Sequence, residues 1–334
     1  MKPHTHLEVV SDSITIVGAG ISGSYLGRLL QKKPILFDNN SALGCRCAWG
    51  VPFTQVKILL GKLGISLEHF LLCNINNIYM NNVRIRVTNF ATIDKPLLIQ
   101  ELRKGLKIKS QSYSFNSIGD DLVVNATGVP MGNEISQMNS YEEKIRIMGA
   151  ESNTAYAYIN PRFAGYAWLF PLDEEGGLFH FGAAAPRIHP KRLMEEMLCF
   201  YRMHKGEMLC YCGGPLHLSD PTFTDIVRGN VVAVGGAAGC VNPITGEGIF
   251  PALQTADLLG KTLNIETSIR DYTEAVRETL SHYRELYKIY YKLQDNPRLA
   301  RITGIRTMFN SINYFEPSYN LSTILKLFWK IACM

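Results

Sequence analysis

The stretch S-I-T-I-V-G-A-G-I-S-G-S-Y-L-G-R-L-L, residues 13–30, leaves the chain few ways to begin folding. Ile14, Ile16 and Val17 predict a buried strand, and Tyr25, Leu26, Leu29 and Leu30 predict one face of a helix. Between them lies G-x-G-x-x-G. Gly18 permits a tight turn, Gly20 lets the backbone approach a pyrophosphate, and Gly23 lets helix and strand pack closely, with phosphates on the helix N-terminus. A second strand, Pro34 to Phe37, ends at Asp38, where an acid receives a ribose hydroxyl in dinucleotide folds. The unit predicts an α/β domain for an ADP-containing dinucleotide and does not choose between NAD and FAD.

The choice comes from further along. Leu122 to Val124 predicts a short strand running into Ala126, Thr127 and Gly128, small residues that admit a ligand closely. Val231 to Val234 repeats the pattern, with a flexible turn over Gly235 to Gly239 and a helix opened by Gly246 and Gly248 that carries Ile249, Leu253, Ala256 and Leu259. A second helix N-terminus is thereby offered to the same ligand. A nicotinamide dehydrogenase has no use for it, whereas FAD has a ribityl chain and an isoalloxazine still to be held.

With 334 residues, 46% hydrophobic and 19% charged, the chain is neither disordered nor collagenous nor a coiled coil, and its length suits two domains. Its net charge of +5 is spread along the chain, unlike the clustered charge of a nucleic-acid binder, and suits an anionic lipid or phosphorylated ligand. No apolar run approaches the roughly 18 residues that cross a bilayer, and the expected location is cytoplasmic. The terminal N-L-S-T-I-L-K-L-F-W-K-I-A-C-M has apolar positions and lysines suited to peripheral membrane contact or to packing on the core. Two C-x-C pairs, Cys45 with Cys47 and Cys210 with Cys212, lack zinc-knuckle spacing and flanking histidines, so no metal is expected. Residues 153–186, aromatic and apolar by turns and broken by Pro and Gly, predict an antiparallel sheet, and residues 191–204 a helix. The expected division is a discontinuous FAD-binding domain (10–130 plus 226–262), an antiparallel-sheet substrate domain (131–225) and a helical C-terminal region (263–334).

G-A-G-I-S-G with Asp38, C-A-W-G-V at Cys47 to Val51, Y-A-W-L-F-P at Tyr166 to Pro171, and N-P-I-T-G-E-G-I at Asn242 to Ile249 together resemble the geranylgeranyl reductase family, especially archaeal enzymes that saturate digeranylgeranyl glycerophospholipids. The resemblance runs from about residue 14 to 262. Two of its elements are shared with the wider p-hydroxybenzoate hydroxylase-like flavoproteins; C-x-x-G-V and Y-x-W-x-F-P are the specific ones. It implies a GR2-type FAD-binding Rossmann domain, an antiparallel β substrate domain, and reduction of isoprenoid double bonds by reduced flavin. It carries FAD contacts to Ser22, Asp38, Cys47, Ala48, Gly50, Gly248 and Ile249. Lys95 stands where the family tends to have an arginine, keeping the charge without the planar fork. Gly236 stands where the family has an aspartate near the ribityl hydroxyls, and losing that acceptor removes about 1 kcal/mol of net hydrogen bonding.

An isolated alkene is not polarised, so hydride delivery to it requires close alignment, a proton for the other carbon, and exclusion of water. Tyr166, Trp168 and Phe170 suit the wall of an apolar channel, or else fill the core. Cys47 suits a place against the isoalloxazine, where a thiol orients the ring or delivers a proton. His180 and His217, in or near the substrate segments, are expected to be structural. The electron donor, ferredoxin or NAD(P)H, stays open. Two other readings remain: a flavin-dependent monooxygenase or halogenase on the same fold, and a flavin-poor prenyl-lipid binding protein.

Overall fold

A computed structural model of the chain describes residues 13–39, 48–115, 121–132, 135–295, 326, 329 and 330. The described residues begin with β1 (Ile14–Val17), α1 (Ile21–Leu29) and β2 (Ile35–Phe37), the strand–helix–strand unit anticipated from its glycines. β3 (Gly50–Pro52), α2 (Phe53–Gly61), β4 (Leu71–Met80) and β5 (Val83–Ile93) follow, then α3 (Lys95–Arg103), β6 (Lys107–Lys109) and β7 (Leu122–Asn125). A second run comprises β8 (Ser136–Met148), β9 (Thr154–Asn160), β10 (Gly165–Pro171), β11 (Leu178–Ala185), α4 (Pro190–Tyr201) and β12 (His204–Leu218). The chain then returns through β13 (Val227–Arg228), β14 (Val231–Ala233), α5 (Ile249–Asn264), α6 (Ile269–Thr279) and α7 (Tyr283–Asp295).

Among the described residues the strands form two sheets. One has six strands in the order β13-β14-β7-β1-β2-β6, parallel except at β13. The β7 run L-V-V-N is buried throughout, as a strand covered on both faces must be. The other has eight strands in the order β12-β8-β11-β10-β9-β4-β5-β3, antiparallel except where β4 runs along β9. β3, β4 and β5 fall between residues 50 and 93, which the sequence division places with the nucleotide-binding half. Pairings such as Asn77 with Thr154 draw them into the second sheet, which the chain therefore enters twice.

The second sheet has two apolar faces. Ala167, Leu169, Phe179, Phe181 and Ala183 pack on α4 through Leu193, Met194 and Met197. Tyr166, Trp168 and Ala184, on the opposite face, join one continuous core with Ile16, Leu26, Val124, Leu253 and Leu259 of the nucleotide-fold side. The period-two alternation of β10 thus sends every second side chain toward the seam between the sheets. Among the described residues no helix is long and apolar enough to cross a membrane. Most of the C-terminal segment, expected either at a membrane surface or packed on the core, lies outside the described residues; Lys326, Trp329 and Lys330 are exposed.

Candidate functional site

At the seam lies a cavity of about 370 Å3, bordered by both sheets. Gly20 and Ser22 enter from the start of α1, and Gly248 and Ile249 from the start of α5. Neither helix has a side chain capping its N-terminus, so two sets of unsatisfied N–H groups and two positive helix ends converge on one space. A Cβ added at Gly20 would meet nothing within 4 Å, which leaves the turn open where a phosphate would approach. Gly18, at φ +103°, needs the conformation glycine permits, and a Cβ there would overlap the Ala126 carbonyl oxygen. At Gly23 a Cβ would overlap Gly18 O. These two glycines close the turn and do not line the cavity.

Ala126, Thr127 and Gly128 follow β7 into the cavity wall, and Asn125 Oδ1 accepts from Thr127 N (3.2 Å) and Thr127 Oγ1 (2.8 Å) to fix that bend. Lys95 reaches the wall from the first turn of α3, which Asp94 caps by accepting from Leu97 N at 2.9 Å. Gly236 packs beside this bend and does not line the cavity: a Cβ there would stand 3.1 Å from Gly128 O. Asp38 follows β2 beside the glycine turn. Its Oδ2 accepts from Ala19 N (3.1 Å) and from Arg103 Nη2 (2.6 Å), while Arg103 Nε donates to Ala19 O at 2.8 Å. Arg103 thus ties the acid to the glycine turn. It lies 65 residues from its partner, and the sequence carries no local sign of the pairing.

Ala48, Tyr166, Trp168 and Phe170 border the sheet side of the cavity and also border a second, apolar cavity of about 100 Å3, where Gly50, Ile78, Met80 and Phe90 join them. Tyr166, Trp168 and Phe170 therefore stand at the junction of the two spaces. Gly50 is held to glycine by Phe90 and Phe170, whose rings would come within 2.8 and 2.9 Å of a Cβ. Cys47 lies outside the described residues.

The structure brings forward three groups to which the sequence reading gave no site role, His180 among them having been expected to be structural. Glu142, on β8, lines the larger cavity, and His180, fully buried on β11, has its Nε2 3.6 Å from Glu142 Oε2. The neighbouring Glu143 turns to the other face and pairs with Lys205 at 2.9 Å. Which of two adjacent acids faces a cavity depends on register, which the local sequence does not print. Glu247 is a third case. Its Oε1 is shut off from solvent with no hydrogen-bond partner, and burial pushes the carboxyl up to about 8.

No protein-family model matches the chain. Digeranylgeranylglycerophospholipid reductase 3 of Methanosphaera stadtmanae is 25% identical over 84% of this chain and 86% of its own length. Among solved structures, a geranylgeranyl bacteriochlorophyll reductase-like protein from Thermoplasma acidophilum superposes with a TM-score of 0.66, covering 94% of this chain and 95% of that one at 15% identity. HpxO of Klebsiella pneumoniae, solved with FAD, covers 91% and 98% with a TM-score of 0.59 at 14% identity. At those identities the two structures establish the fold alone, a parallel α/β sheet with an added, largely antiparallel one. Through most of its length the chain is thus similar in sequence to digeranylgeranylglycerophospholipid reductases, and it shares the fold of a geranylgeranyl reductase-like protein.

Proposed function

We propose that the chain is an FAD-dependent reductase that saturates isolated C=C bonds of a geranylgeranyl or related polyprenyl lipid. The observation that carries this reading is the shared wall: the cavity holding two uncapped helix N-termini meets an apolar cavity at Tyr166, Trp168 and Phe170. An anionic dinucleotide suits the first and a prenyl chain suits the second. FAD, when bound, supplies the hydride. The open Gly20 turn and the two helix ends fit its pyrophosphate, and this is the test the residues present must pass.

In this reading Gly18, Gly20, Ser22 and Gly23 form the pyrophosphate turn, and Asp38, steadied by Arg103, takes the ribose. Lys95, Ala126, Thr127 and Gly128 border the ribityl chain, with Gly236 packed behind Gly128, while Ala48, Gly248 and Ile249 border the ring and Gly50 faces the apolar cavity beside it. Tyr166, Trp168 and Phe170 exclude water and align the alkene, as flat apolar faces at a narrow junction do. Cys47 is assigned to the ring on the family resemblance alone. The lipid's name in the relative supports a polyprenyl substrate here; the anionic headgroup and the chain's net charge of +5 agree in sign.

The test is the product. Protein reduced anaerobically and incubated with digeranylgeranyl glycerophospholipid should yield lipid that has gained one pair of hydrogens per bond reduced, read by mass spectrometry. Lipid of unchanged mass after exposure to stoichiometric reduced flavoprotein overturns the reading.

A further inference from the structure

One rung of the second sheet carries Trp168 on β10, Gly182 on β11, Glu142 on β8 and Cys212 on β12, directly paired across four strands. Trp168 and Glu142 both line the large cavity. Gly182 between them is a steric necessity: a Cβ would stand 2.5 Å from Trp168 Cζ2 and 3.0 Å from Glu142 Cγ. The missing side chain lets the indole and the carboxyl lie together over the strand. Phe170 and His180 form the adjacent pair on the same face.

The hydrogen-bond directions around His180 are set by chemistry. Trp168 Nε1 can only donate, and it lies 3.5 Å from His180 Nδ1, so Nδ1 is the accepting nitrogen and a neutral imidazole keeps its proton on Nε2. Nε2 faces Glu142 at 3.6 Å, and the Trp49 ring packs on the imidazole with centroids 5.3 Å apart. On its other side Glu142 Oε2 is 3.9 Å from the Sγ of Cys212, a half-buried thiol on the edge strand, where the rung reaches solvent.

Resting on the reductase reading, we propose that Glu142 is the acid that supplies the proton for alkene reduction, with His180 stabilising the carboxylate left behind and Cys212 marking the route by which the proton is restored. The step balances: hydride from reduced flavin forms one C–H bond, the proton of the Glu142 carboxylic acid forms the other, the C=C π bond breaks, and the flavin is oxidised by two electrons. Glu142 is left as a carboxylate beside the Nε2–H of His180 and regains a proton from water. The other acid and amine side chains lining the two cavities are Lys95, Tyr166 and Glu247. Glu142 differs from them in lying on one rung with Trp168 and beside the buried His180, which can steady the carboxylate left when a proton is given up.

The experiment compares wild type with Glu142→Gln and Glu142→Asp, each loaded with FAD to equal stoichiometry and chemically reduced without oxygen. Flavin reoxidation on mixing with digeranylgeranyl glycerophospholipid should slow on the order of a hundredfold or more in Glu142→Gln, with Glu142→Asp recovering part of the rate. A flavin-independent readout accompanies it: the infrared difference between ligand-free wild type and Glu142→Gln at neutral pH should contain the carbonyl stretch of a protonated carboxyl. A Glu142→Gln rate within threefold of wild type, or a difference spectrum containing only carboxylate bands, overturns the proposal while leaving the reductase reading intact. Wild type that does not reoxidise with lipid overturns both.

Discussion

At Glu247 the unfolded chain ionises near its ordinary 4.5, whereas burial holds the proton to about pH 8 in the fold. The folded state binds that proton more tightly, so stability is lost as pH climbs from about 4.5 to about 8. Glu247→Gln should remove this loss: its Tm should stay flatter than the wild type's across that window and exceed it at the alkaline end. Parallel Tm profiles would contradict the assignment. Gly236 permits a second comparison at this scale. A Cβ there presses on Gly128 O at 3.1 Å, so Gly236→Ala should cost about 1 kcal/mol or more through crowding, seen as a lower Tm. Gly236→Asp carries the same Cβ plus an acceptor, and should bind FAD more tightly than Gly236→Ala; equal dissociation constants would refute a ribityl contact at this position. Single residues were legible in the sequence where a local motif fixes the backbone, as at Gly18, Gly20, Gly23 and Asp38. Arg103, Glu142 and His180 were not, because each takes its meaning from a partner on another element.

Strand β10 turns residue identity into a surface. Tyr166, Trp168 and Phe170 point into the seam while Ala167 and Leu169 pack toward α4, so the aromatic set can change without dismantling the opposite core. Trp168→Ala should keep its FAD content and lose lipid reduction; retained reduction would remove the aromatic wall from the account. Gly182→Ala should destabilise the protein by about 1–3 kcal/mol, since its methyl must displace the Trp168 indole or the sheet beneath it. A denaturant midpoint equal to wild type would show that the indole can give way. At this scale the periodicity of β10 and the strand–turn–helix units were readable. The β4–β5 hairpin was also printed in its alternating V-R-I-R-V and its Asn81–Asn82 turn, both residues at positive φ. Its sheet was not, because β4 is joined to β9 through residues more than seventy positions away.

In the whole molecule the two sheets work as halves of one container. The nucleotide-fold half contributes helix ends and small residues, and the eight-stranded half contributes aromatic faces and a buried acid, so neither half makes the site alone. The sequence disclosed both halves and left their contact unstated, since a seam is formed by faces that no single segment contains. The measurement that tests the central claim most directly is an anaerobic absorbance trace of the FAD-loaded, reduced protein mixed with digeranylgeranyl glycerophospholipid. The account predicts that the oxidised flavin bands return in proportion to the unsaturated lipid added and stay absent with its saturated analogue. Flavin that stays bleached with lipid and regains its colour only when oxygen is admitted would contradict it.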